Sequence, residues 1–95
     1  MTLAELRASL SQSAPPSGMS KLVEALWHDA RGDWEQAHEI AQSVDDAEGA
    51  WVHAYLHRKQ GDLSNAGYWY SRTGRPRSDA PLDEEWKEIV EALLG

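Results

Sequence analysis

The sequence predicts an all-α fold, in which a helix–turn–helix unit occurs twice and an amphipathic helix follows. Three observations carry this reading. A shift of 29 positions lays Val23, Ala25, His28, Gly32, Asp33 and Ala37 on Val52, Ala54, His57, Gly61, Asp62 and Ala66. Each copy centres on a Gly-Asp dipeptide, in which glycine can take the left-handed conformation that ends a helix and aspartate can cap the next one. Finally, Trp86, Ile89, Val90, Leu93 and Leu94 stand at i, i+3, i+4, i+7 and i+8, one face of a helix.

Taken in order, Thr2 and Glu5 form a capping-box pattern ahead of the stripe Leu3, Leu6 and Leu10, so a first helix fades near Ser11. Pro15-Pro16 and the small polar residues around them make 12–18 a linker. Ser20 is the expected N-cap of a second helix that runs to about Ala30 through Leu22, Val23, Leu26 and Trp27. Gly32 stops it, and Asp33 opens a third helix with Trp34, Ala37, Ile40, Ala41 and Val44 inward. Asp45 and Glu48 repeat the capping signature before a fourth helix, about Ala47 to Lys59. Gly61 and Asp62 then separate it from a fifth, about Asp62 to Arg72, which carries a glycine at Gly67 that costs about 1 kcal/mol relative to alanine. A turn at Gly74-Arg75-Pro76 leads to the last helix, about 80–94, which caps the second unit.

Length and composition limit the function classes. Ninety-five residues make one domain with a modest core. No apolar run approaches the roughly 18 residues of a membrane span, and the opening segment, with Glu5 and no long apolar stretch, is not a secretory signal. No cysteine is present, which removes disulfides, thiolate metal sites and cysteine nucleophiles and fits a cytoplasmic protein. A net charge of −7 argues against nucleic acid and anionic membranes. Arg58, Lys59, Arg72, Arg75 and Arg77 nevertheless cluster between two acidic stretches. Salt pairing between neighbouring helices is the first reading of that pattern, and a basic patch for an acidic partner or a phosphate is the sharper one.

At Lys59-Gln60-Gly61-Asp62, with Ala66 five residues past the glycine and Ala54 seven before it, the chain resembles the tetratricopeptide repeat. Ala25 stands in the same relation to Gly32, and Tyr68-Trp69-Tyr70 resembles the aromatic group of the family's second helix. The likeness spans about residues 20–76. It implies two antiparallel helix hairpins, an α-solenoid fragment, with repeat 1 at about 20–46, repeat 2 at about 47–76, a capping helix at about 80–94, and an N-terminal helix and linker at 1–19. The 29-residue spacing departs from the family's period of roughly 34. The resemblance also implies a groove lined by the first helix of each unit. Leu22, Leu26 and Asp29 would face it from one copy, and Trp51, Tyr55, Arg58 and Lys59 from the other.

Two functions compete. The first is a protein–protein interaction module that binds a peptide, or a second copy of itself, through Trp51, Tyr55, Arg58 and Lys59. Two repeats fall short of the usual three for independent stability, which favours a homo-oligomer. The second is a metal- or ligand-binding protein, with an enzyme among the options. His53 and His57 at i, i+4 share a helix face, His28 is the repeat equivalent of His57, and Glu24 that of His53, a set suited to zinc or iron. Semi-buried packing is the plainer reading of these histidines. No phosphate loop, nucleophile elbow or dinucleotide fingerprint occurs, so the non-enzymatic module ranks first and no cofactor is expected with it.

Overall fold

Capping side chains start five of the six helices. In the computed structural model, which describes residues 1–95, the chain forms α1 (Leu3–Ser9), α2 (Lys21–Ala30), α3 (Trp34–Gln42), α4 (Ala47–Gln60), α5 (Leu63–Ser71) and α6 (Leu82–Leu94), with no strand. Thr2, Ser20, Asp33, Asp46 and Asp62 each accept a hydrogen bond from the backbone N–H three residues on, satisfying a donor that the helix itself leaves free. Thr2 and Glu5 complete a reciprocal capping box. Gly32 and Gly61 take φ of +85° and +88°, the left-handed turn that lets one helix end and the next begin at once. The expected cap at Asp45 moves one residue on. Asp46 is the extended residue, and its carboxylate accepts from Gly49 N–H at 2.7 Å.

These turns fold α2 onto α3 and α4 onto α5, and α3 in turn packs on α4. Ala25, Ala37, Ala54 and Ala66, the small residues repeated at the shift of 29, are all buried where the helices meet. Helix α6 lies across α2 and α4. Its residues Trp86, Ile89 and Val90 join the same core as Leu22, Leu26, Trp51 and Tyr55. Helix α1 docks on α6, with Leu6 fully buried, and Ser9 Oγ accepts the indole N–H of Trp27 at 3.1 Å. Arg31 fixes the segment that follows by donating to the carbonyls of Leu10 and Gln12. No helix is long and apolar enough to cross a membrane.

Two helical glycines have opposite surroundings. A methyl group on Gly49 would run into the backbone carbonyl of Val44, which cannot swing away. On Gly67 it would meet the guanidinium of Arg77, the far end of a flexible side chain. Gly49→Ala should therefore destabilise the protein by about 1–3 kcal/mol in urea titration. Gly67→Ala should be close to neutral, because the helix-propensity gain of up to about 1 kcal/mol offsets the displacement of Arg77.

Candidate functional site

Helix α4 carries aromatic and polar side chains on two sides, and the fold treats the two sides differently. Trp51, Tyr55 and Arg58 recur at helical spacing on the side that meets α2 and α6. Glu85 from the first turn of α6 enters this side and is fully buried. Its carboxylate accepts from Trp51 Nε1 at 3.2 Å, from Arg58 Nη1 at 2.7 Å and from the Tyr70 hydroxyl, which lies 2.6 Å and 2.8 Å from its two oxygens. Arg58 also donates to the carbonyl of Ala80 in the approach to α6. Asp29 of α2, likewise buried, accepts from the Tyr55 hydroxyl at 3.2 Å and from Lys59 Nζ at 2.9 Å. Burial, with the adjacent carboxylate, pushes the hydroxyls of Tyr55 and Tyr70 above the usual phenol range, so both remain donors.

The four residues expected to contact a partner are therefore engaged within the chain. Trp51 and Tyr55 are buried, Arg58 and Lys59 are paired with Glu85 and Asp29, and Trp86 Nε1 donates to the carbonyl of Leu26 at 3.0 Å. Helix α6 packs against both α2 and α4 and covers the faces expected to line a groove. The other basic residues also have neighbours. Arg75 stacks over the Trp51 ring at 3.7 Å, Arg77 covers Gly67, and Arg72 lies 5.3 Å from the Trp69 ring centroid and 3.9 Å from Asp45. Arg58, Lys59 and, at longer range, Arg72 pair with acids of the chain, whereas Arg75 and Arg77 have no acidic partner.

The opposite side of α4 holds the histidines. His53 and His57 stack at a centroid distance of 4.8 Å, and His38 of α3 stands edge-on to both, at 4.6 Å and 5.0 Å. His38 Nε2 and His53 Nε2 are 3.0 Å apart, and one ring nitrogen from each of the three residues falls within 4.8 Å of the others. Trp34 stacks on His38 at 4.8 Å and Trp69 on His53 at 4.0 Å, so tryptophans hold two of the rings from outside. The Asn65 amide lies 3.4 Å from His57 Nε2, while His57 Nδ1 is buried with no partner in the protein.

His38 was missed in the sequence because the repeat directed attention elsewhere. Its counterpart at the shift of 29 is Gly67, whereas His28 is the counterpart of His57. His28 does not join the cluster. It sits in the last turn of α2, edge-on to Trp27, with Nε2 3.8 Å from Glu24 of the same helix. Glu24 stays there with it, so neither completes a ligand set with His53 and His57. Glu85 was missed for another reason. The helix dipole favours all of Asp83, Glu84 and Glu85, and the signal that separates Glu85 is its place four residues before Ile89 on the apolar stripe.

No protein-family model, curated protein or solved structure matches the chain.

Burial of the cluster has a titration consequence. The imidazole of His53 is held down to about 4 by burial and then by the nearby His38 and His57, and that of His38 is lowered by burial and then by His57. Between the unfolded value near 6.5 and the folded value, the unfolded chain binds the extra proton, so stability falls as pH drops and levels off below about 4. In metal-free protein, His53→Gln should flatten this dependence. The fall in Tm from about pH 7 to about pH 4.5 should shrink by at least about 4 °C, measured by circular dichroism melts.

Proposed function

We propose that this chain is a non-enzymatic interaction module of tetratricopeptide-like build, whose groove grips an acidic amphipathic helix. The observation that carries the reading is Glu85, a carboxylate with no exposed surface, held by Trp51, Arg58 and Tyr70. A groove that supplies an indole, a guanidinium and a phenol to one carboxylate discriminates strongly, because a helix lacking the acid would leave all three donors unpaired. The resident α6 shows what chemistry fits. It presents one acid inward beside an aromatic residue and an aliphatic face, with its remaining acids outward.

Helix α6 is tethered through 72–81, and it alone among the six helices lacks a side-chain N-cap. A partner helix of the same character would compete with this resident, which the tether keeps at an effective concentration on the order of millimolar. The aromatic and basic residues Trp51, Tyr55, Arg58 and Lys59 would then act in trans as they do in cis.

The test is fluorescence anisotropy with a labelled peptide of residues 80–94. Glu85→Ala in the protein weakens the resident helix by about 3–5 kcal/mol, so the variant should bind the peptide more tightly than wild type by a factor on the order of 100 or more. A peptide carrying the same Glu85→Ala change should not bind. If the folded variant shows no saturable binding of the intact peptide, the groove is only a structural contact.

A further inference from the structure

The histidine cluster is not used by the groove. It lies on the far side of α4, and neither Glu85 nor Asp29 reaches it. Packing alone is a poor account of it. Three imidazoles are placed ring against ring in the part-buried space between α3, α4 and α5, where leucine would fill the same volume without polar atoms. Their six ring nitrogens make one contact within the trio, between His38 and His53, and one outside it, to Asn65. His57 Nδ1 makes none, although His57 is only 7% exposed. Buried polar atoms without partners are uncommon and costly, and such an atom needs an explanation.

We propose that His38, His53 and His57 form a three-histidine site for a divalent transition metal of zinc's class. The distances suit it. Bonds of about 2.0–2.1 Å at a tetrahedral metal set neighbouring nitrogens about 3.3 Å apart. His38 and His53 stand at 3.0 Å, and the third donor lies within 4.8 Å. The third donor would move in by up to about 1.5 Å when the ion binds.

The donor set gives the class of ion. Three neutral imidazoles with no carboxylate or thiolate in the cluster exclude calcium and magnesium, which need oxygen ligands, and suit zinc, copper, nickel or iron. In neutral form His38 and His53 each keep one ring nitrogen without hydrogen, the lone pair a metal takes. The hydrogen shared between those two rings moves to the outer nitrogen of one of them when the metal binds, so no net proton is lost. The supporting residues are also in place. Trp34 and Trp69 fix two ring planes, and Asn65 can orient His57 by accepting an N–H through its amide oxygen once the amide is turned. A cleft of about 190 Å³ lined by Asp45, Gly49, His53, Trp69 and Arg72 gives a route in from solvent. Three protein ligands leave a fourth position for water or a small anion.

The test uses untagged full-length protein stripped with a chelator and titrated with zinc(II) against a chromophoric competitor. One equivalent should bind, and magnesium should not. His38→Gln, His53→Gln and His57→Gln should each lose at least about 10–100-fold in affinity. His28→Gln should bind as wild type does, because His28 lies outside the cluster. Helical circular dichroism confirms that each variant is folded. Bound cobalt(II) adds a second readout, since its tetrahedral visible spectrum should appear in wild type and vanish in the three cluster variants. Sub-stoichiometric zinc binding by wild type, or equal loss in His28→Gln, would overturn the site. If one cluster variant misfolds, the other two and the cobalt spectrum still decide.

Discussion

Helix α4 is enclosed on every side, and this is the constraint from which the rest of the structure follows. Nine consecutive residues, Gly49 to His57, are buried. A helix sealed in this way is normally apolar all round, yet this one carries Trp51, His53, Tyr55 and His57 in that run, followed by Arg58 and Lys59. Each polar atom must find a partner inside the protein or cost free energy on the order of 1–3 kcal/mol. On one side Glu85 and Asp29 supply acceptors for Trp51, Arg58, Tyr55 and Lys59. On the other, His38 and Asn65 meet His53 and His57. The groove and the histidine cluster are two answers to one problem.

The tryptophans show how neighbouring helices are held in register around this centre. The indole N–H of Trp27 bonds to Ser9, that of Trp34 to the Leu56 carbonyl, that of Trp51 to Glu85 and that of Trp86 to the Leu26 carbonyl. Every one of these bonds joins two different helices. Phenylalanine, absent from the chain, could fill the same space but could not specify where one helix sits along another. Four of the five tryptophans thus serve alignment as much as burial.

What was legible in the sequence is local. Gly-Asp turns, capping residues and the Trp86–Leu94 stripe depend on neighbours a few positions away, and they locate all six helices to within a residue or two. What was hidden depends on which helix faces which. Glu85 stands four residues before Ile89, on the stripe side of α6 where Glu84 does not, but its partners Trp51 and Arg58 are 34 and 27 positions away. His38 escaped because the two copies diverge at that position, with histidine in one and glycine in the other. The repeat located the helices but pointed to His28 as the companion of His53 and His57, whereas His38 is the residue that meets them.

The bond from Trp86 to Leu26 spans 60 positions of sequence, whereas the turns at Gly32 and Gly61 close helices that are already neighbours. Contacts between distant segments incur the loop-closure entropy last, so α2–α3 and α4–α5 can assemble before α6 docks. During that interval the acceptor for Trp51 and Arg58 is missing, and α2–α3 and α4–α5 carry these donors without it. The order of docking thereby leaves these donors open until α6 arrives.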